Sequence, residues 1–542
     1  MGKMRVKIVE LINKLENSEI SLKLFLLTAG GIILVRIFLE SFSNKGFAGP
    51  FPGWTLFPHV FIWFASVFVW LAVLMRIFTK VDIVKILKIQ LFSFVIIWFP
   101  VLFDFLLTGG EGARLTYIFV SSVKDLAIVF FTLPFSYQSF GLPLEVIIIS
   151  IFFGIYVYLK NSKVKWGLLG ALLCYAIIFI HLSFPSYPVI YSNYLGADNN
   201  AFSYYAMPVF NENILLSKNY LFKLNDFSEQ SNIFFDLFSS MITFYTFFAG
   251  LLLIFYLWNK NKFKAFFKNL RWLRLIHYWL MFFSGIAIAY IFFEIRPVLN
   301  FWNISLMALP LISIACSWAR AVGENDIIDE ESDGLSNPER PLIKKELTVE
   351  EILNLNLILF ILAVAGSLIV SYHILIFILL FNAIYFLYSS PPFKLKKIPI
   401  LNPLLIGIAS LSVAMAGFFT VMPFAQLAEF PKKIIFLMLI SFALGVNFKD
   451  IKDIEGDKIA GVKTLPVIFG EKKGKLIIGT MFFISFVLAP IILEELFLLI
   501  PAIIFGGFGF FFINKAEYKE KYVLLMYLFY ISSIIAFYFV KI

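Results

Sequence analysis

The sequence predicts an all-α polytopic membrane protein with about 15 transmembrane helices. Three observations carry this. Of the 542 residues, 61% are hydrophobic and 15% are charged, whereas soluble domains average about 45–50% and about 25%. Apolar stretches of roughly 20 residues, the length that crosses a bilayer as a helix, recur along the whole chain. A membrane β-barrel would instead show segments of about 10 alternating residues.

Lys3, Arg5, Lys7, Lys14 and Lys23 precede or open the first apolar stretch, and further stretches follow it. The N-terminus therefore reads as a retained cytoplasmic tail rather than a cleaved signal peptide. Six spans are expected next, near 20–42, 57–78, 87–107, 143–160, 165–184 and 233–258. The stretch 112–137 is apolar but carries Arg114, Lys124 and Asp125, and is expected to be re-entrant or interfacial. Nine more spans are expected near 273–294, 300–323, 352–371, 373–389, 400–422, 431–448, 474–492, 494–514 and 522–541.

Charge orients this arrangement. With the N-terminus inside, the even-numbered connections are cytoplasmic. They hold Arg76 and Lys80, then Lys160, Lys163 and Lys165, then six lysines and arginines between 260 and 274. The odd connections, including the long 185–232 segment, are poorer in both residues, as the positive-inside rule requires. The 185–232 segment reads as an external connector or a small ordered cap. The net charge of +10 is thus explained by cytoplasmic loops, and no nucleic-acid partner is expected.

The basic stretch 259–274 is the best domain boundary. It divides a membrane domain, 1–262, from a second one, 263–542. The two cysteines, Cys174 and Cys316, lie in apolar runs, which argues against a disulfide framework or a cysteine metal site. The four histidines are scattered without HExxH-like spacing.

Three polar segments in the second domain carry chemistry. The first is Asn325, Asp326, Asp329 and Asp333, followed by Asn337, Pro338, Arg340 and Pro341. Positions 325, 329 and 333 share one helical face. Like charges so placed repel unless a cation neutralises them. Their hard oxygens suit Mg²⁺, which typically bridges carboxylates to substrate phosphates. The second segment holds Lys449, Asp450, Asp453 and Asp457, the aspartates again at helical spacing, with Thr464 and Pro466 beyond. The third is Tyr388, Pro391, Pro392, Lys394, Lys396 and Lys397. The prolines end a helix, and the lysines can neutralise diphosphate oxygens at the membrane surface. A charged loop is ordinarily solvated surface. Two acidic groups on one membrane side, with lysine and arginine nearby, make a plausible cage for a metal–diphosphate complex.

These residues resemble the UbiA superfamily of intramembrane prenyltransferases. Asn325, Asp326, Asp329 and Asp333 match the family's NDxxDxxxD motif, and Asp450, Asp453, Gly456 and Asp457 match its DxxDxxGD motif. The TLPV-like tail at 464–467 and the NPxRP stretch at 337–341 match as well. The family pattern of a tyrosine followed by a lysine is met by Tyr388 with either Lys394 or Lys396. The resemblance spans roughly 270 to the end and implies a nine-helix bundle around a cavity open to lipid. It implies Mg²⁺ held by Asn325, Asp326, Asp329, Asp333, Asp450, Asp453 and Asp457. It implies phosphate contacts from Arg340, Lys394, Lys396 and Lys449, with Tyr388 orienting the diphosphate. Asp326, Asp329, Asp450, Asp453 and Lys396 are the expected catalytic groups.

The implied reaction moves an isoprenyl group from its diphosphate to an acceptor. Two acceptor classes remain open: a lipid such as geranylgeranylglyceryl phosphate, or an aromatic ring of the quinone or chlorophyll type. A cation-coupled transporter is the rival class, but transporters place such carboxylates at the midplane within matched repeats. Residues 1–260 resemble no family. Their polar features are the i, i+4 pair Arg36 and Glu40, and Asp104, Glu111 and Arg114 around Gly109 and Gly110. This half is expected to deliver or receive a lipid substrate. The chain is expected in the cell membrane, among membrane lipids, with the aspartate-rich loops cytoplasmic.

Overall fold

The computed structural model describes residues 2–42, 56–109, 117–132, 139–187, 190, 227–293, 301–399, 401–422, 425–452, 454–459 and 463–541. Among these, fifteen helical segments are long and apolar enough to cross a membrane, six before residue 260 and nine after it. The protein is an all-α integral membrane protein. Chain contacts divide it into two compact units, the first formed by Met1–Val209 with Leu221–Phe263, the second by Lys264–Ile542 in its main part.

The first unit contains α1 (Gly2–Glu16), α2 (Leu22–Phe42), α3 (Leu56–Thr79), α4 (Ile83–Ser93), α5 (Phe99–Thr108), α6 (Val123–Thr132), α7 (Gly141–Asn161), α8 (Val164–Ser183) and α9 (Phe227–Trp258). One helical turn joins α4 to α5, so the two make a single crossing. Of the 112–137 stretch, residues 117–132 are described; Val123–Thr132 form α6, ten residues long and too short to span a bilayer. Glu111, Arg114 and, within 185–232, residues 188–189 and 191–226 lie outside the described residues.

Two of the charges buried among these helices are held by specific partners. Arg36, 1% exposed, bonds Glu40 at 2.7 Å and the Ile97 carbonyl at 2.5 Å. Asp104 accepts bonds from the Ser139 hydroxyl at 2.6 Å and the backbone N–H groups of Phe140 and Gly141 at 3.0 and 2.8 Å. It thereby satisfies the free donors at the start of α7. Both residues are accounted for as packing groups.

α10 (Lys260–Lys268) contains the division between the units. The second unit then runs through α11 (Trp272–Phe292), α12 (Phe301–Ile328), α13 (Glu330–Ser336), α14 (Val349–Val370), α15 (Tyr372–Ser389), α16 (Leu401–Val421) and α17 (Lys432–Gly445). It ends with α18 (Ile454–Ile459), α19 (Leu465–Phe469), α20 (Glu471–Leu493), α21 (Leu499–Asn514) and α22 (Glu520–Lys541). The long helices alternate in direction. The starts of α11, α16 and α22 and the ends of α12, α15 and α17 therefore gather at one end of this unit, where side-chain bonds tie them together.

Helix packing is closest between α11 and α16. A Cβ at Gly285 would collide with the Ala414 carbonyl, and one at Gly417 with the Phe282 carbonyl. Glycine at both positions lets the two backbones touch, the usual device of membrane helix contacts.

Candidate active site

The local backbone explains the first acidic segment. α12 outlasts its apolar part, and after Asp329 the chain turns again as α13. N–H groups of Asp329, Asp333 and Asn337 bond the carbonyls of Asn325, Asp329 and Asp333 at 2.9, 2.8 and 2.8 Å. The i, i+4 stacking expected from spacing is present, and Asn325, Asp329 and Asp333 line one cavity.

Asp326 is placed differently. One residue further round the helix, it is 2% exposed and is not among the residues lining the cavity. Its carboxylate accepts bonds from Arg271 at 2.5 Å, Asn269 at 2.6 Å and Arg340 at 3.0 Å. Arg340 also pairs with Asp333. Arg271 and Arg340 themselves line the cavity, so Asp326 anchors them from behind. Burial lowers the Arg271 pKa despite the Asp326 charge. Burial, then the neighbouring Arg271, holds Arg340 down at about 10.

The third segment is shaped by a tight turn. Lys394 adopts a left-handed conformation (φ 43°), rare outside glycine, and a short helical turn, Leu395–Lys397, follows. Lys396 then reaches back to both Asp329 oxygens at 2.7 and 2.6 Å and to Asn325 Oδ1 at 3.2 Å. Ser389 donates to the same Asn325 oxygen at 3.0 Å. Of the two lysines left open by the sequence, Lys396 is the one in contact with the acidic face. Lys394 lines the cavity.

The second acidic segment reaches the same cavity. Lys449 donates to the Tyr388 hydroxyl at 2.9 Å and to Asn402 Oδ1, and its ammonium lies 5.2 Å from the Tyr388 ring centre. Asp450 lines the cavity, as do Tyr388 and Lys449. Asp453 lies outside the described residues. For Asp457 the backbone is described, within α18, and not the side chain.

The cavity has a volume of about 2120 Å³, larger than the roughly 300–1,000 Å³ of common ligand pockets. Its charged mouth leads down inner faces of α11, α17, α20 and α22, through Met281, Ile288, Leu437, Phe486, Leu524 and Ile531. It reaches Lys433 and Glu495 at the opposite helix ends. The stretch from Lys433 to Lys449 covers roughly 24 Å at helical rise, most of a hydrocarbon core.

The fit to Mg²⁺ rests on the donor set. Asn325, Asp329, Asp333 and Asp450 present amide and carboxylate oxygens to one space, the hard ligands that this ion prefers. Two of the carboxylates already hold protein cations, Lys396 on Asp329 and Arg340 on Asp333. These oxygens therefore sit where positive charge is required. Among the described residues no three histidines, cysteines or carboxylates converge as a closed cage.

Sequence reasoning missed Asn269, Arg271 and Arg274, all in or beside the cavity mouth. They lie in the 259–274 stretch, where a basic cluster reads as a membrane anchor. The only signal was the position of two arginines at the very start of a span.

Residues 280–534 match the UbiA prenyltransferase family, a match that leaves the N-terminal half outside. The chain is 29% identical over 192 residues to the digeranylgeranylglyceryl phosphate synthase of Thermococcus sibiricus, covering 35% of this chain and 64% of the relative. It is 30% identical over 182 residues to the enzyme of the same name from Thermococcus gammatolerans, covering 32% and 59%. The chain thus spans less than two thirds of these relatives' length. Among solved structures, a UbiA homologue from Archaeoglobus fulgidus bound to GPP and Mg²⁺ is 21% identical, with a TM-score of 0.42, over 51% of this chain and 98% of that one.

Proposed function

We propose that residues 264–542, whose 280–534 stretch is of the UbiA prenyltransferase family, transfer an isoprenyl group from its diphosphate to a glyceryl phosphate lipid within the membrane. The observation that carries the reading is one cavity with two chemistries. Its mouth holds Asn325, Asp329, Asp333, Asp450, Arg340, Lys396 and Lys449, and its depth is apolar and long.

In this reading the diphosphate lies at the mouth and the prenyl chain runs down between α11, α17, α20 and α22. Asn325, Asp329, Asp333 and Asp450, together with Asp453 and Asp457, would hold Mg²⁺, whose charge would stabilise a departing diphosphate. Lys396 and Arg340 donate charge-assisted bonds to the leaving oxygens. Tyr388, fixed by Lys449, orients the head group. The apolar walls keep water from the allylic carbon while the acceptor oxygen attacks it. The mouth is assigned to the cytoplasmic side of the cell membrane, since Lys and Arg collect there.

The test uses the full chain in lipid nanodiscs with geranylgeranyl diphosphate, Mg²⁺ and a panel of glyceryl phosphate and aromatic acceptors, read by mass spectrometry. Magnesium-dependent appearance of the prenylated glyceryl phosphate is expected. Prenylation of the aromatic acceptors alone would replace the lipid assignment, and no prenylated product at all would remove the transferase reading.

A further inference from the structure

Two charged residues of α12 lie within its membrane-spanning stretch and outside the cavity. Arg320 and Glu324 belong to the crossing Asn303–Ile328, yet neither is among the residues lining the cavity that Asn325 and Asp329 face. Ionisable groups inside a span are costly and rare. Arg320 bonds Glu324, one turn on, at 3.1 Å, with the two side chains 21% and 20% exposed. Its other terminal nitrogen donates to Asn382 Oδ1 on α15 at 3.1 Å, and the guanidinium lies 5.5 Å from the Phe360 ring centre on α14. Asn382 in turn donates to the Ser317 hydroxyl at 2.8 Å. An i, i+4 pair that only steadied α12 would need none of these partners on other helices.

The far end of this network is the turn that carries Lys396. Ser390, 4% exposed, donates its hydroxyl to Glu324. Its N–H closes the last turn of α15 on the Phe386 carbonyl at 2.8 Å, and its own carbonyl accepts from the Lys394 N–H at 3.0 Å. Pro391 and Pro392, which lie between, have no N–H to give, so the turn is rooted at Ser390. The residue before it serves the other face. Ser389 lines the cavity and donates to Asn325 Oδ1 at 3.0 Å, the oxygen that Lys396 also reaches at 3.2 Å. Adjacent serines thus grip adjacent residues of α12, Asn325 on the cavity side and Glu324 behind it.

We infer that Arg320 and Glu324 are positioning residues for Lys396: acting through Ser390, they fix the turn after α15 at the height where the lysine ammonium meets Asp329. This rests on the prenyltransferase reading, in which Lys396 serves the departing diphosphate. Misplacing such a group by about 1 Å can cost on the order of a hundredfold in rate.

The experiment is a double-mutant cycle on the full chain in nanodiscs, with kcat/KM measured for geranylgeranyl diphosphate. Glu324→Ala and Ser390→Ala should each lower it about ten- to hundredfold. Glu324→Gln, whose amide oxygen still accepts from Ser390, should stay within about fivefold of wild type. Introduced into Lys396→Met, the two alanine substitutions should lower kcat/KM further by less than about twofold, because the group they position is already gone. Ser390→Ala leaves the Arg320–Glu324 pair intact, so it remains informative if Glu324→Ala fails to fold. Losses that multiply in full with that of Lys396→Met would overturn the inference and leave the transferase reading standing. Wild-type kcat/KM in both alanine variants would overturn it as well. Absence of any prenylated product from wild type would strike the underlying reading, and this inference with it.

Discussion

Asp326 and Asp329 stand in one short motif, yet their surroundings assign them different work. Replacing Asp326 with Asn removes a buried negative charge that faces Arg271, Arg340 and Asn269 at 2.5, 3.0 and 2.6 Å. Breaking a fully buried pair costs about 3–5 kcal/mol. Here the arginine side chains are 23% and 17% exposed, and the Asn amide keeps one acceptor, so about 2–3 kcal/mol is expected. At about 2–4 °C per kcal/mol for a domain of this size, the unfolding midpoint falls by roughly 5–10 °C. Asp329→Asn removes a carboxylate 26% exposed to the cavity, and the same assay should register a shift below about 2 °C. Turnover should fall by at least about a hundredfold in Asp329→Asn, the scale of one lost electrostatic contact at the reacting group. The two variants are compared by thermal unfolding in detergent and by product formation in nanodiscs. If Asp326→Asn melts like wild type and loses turnover as Asp329→Asn does, Asp326 contacts the reacting groups directly, and the anchoring role is wrong.

Three further outcomes follow from the same geometry. Lys396→Met should lower kcat/KM by about a hundred- to thousandfold, whereas Lys394→Met changes it by less than about tenfold; equal losses would show that the contact with Asp329 is not what matters. Chelation of divalent ions should abolish product formation without lowering the unfolding temperature by more than a few degrees, because Lys396 and Arg340 already neutralise the acidic face; a collapse of stability on adding EDTA would contradict this. Gly285→Ala should destabilise the second unit by at least about 1–3 kcal/mol, because its methyl group would meet the Ala414 carbonyl; a wild-type melting profile would mean that α11 and α16 separate readily.

The membrane spans were legible because crossing a bilayer is a local requirement, met by each stretch of about 20 apolar residues on its own. The i, i+4 face of Asn325, Asp329 and Asp333 was legible for the same reason. Contacts across the bundle were not. Arg271 and Asp326 lie 55 residues apart, and nothing in either neighbourhood announces the other. Periodicity could say that Asp326 lies beside the acidic face but not that two arginines wait there. The choice between Lys394 and Lys396 depends on a turn whose left-handed residue no spacing rule reveals. The ten-residue α6 within 112–137 was blurred for a related reason: scattered charge signals departure from a span without saying what replaces it.

Gly285 and Gly417 bring two backbones together with no side chain between them to bend or rotate. α11 and α16 therefore behave as one beam, and the groups mounted at its end, Arg271 and Arg274 on one rail and Asn402 on the other, keep a constant spacing. The opposite walls carry Leu437, Met438, Leu524 and Ile531, side chains with rotatable torsions in place of a backbone-to-backbone contact. Room for a bulky tail must then be made on the α17 and α22 side, so that the protein works like a vice with one fixed jaw.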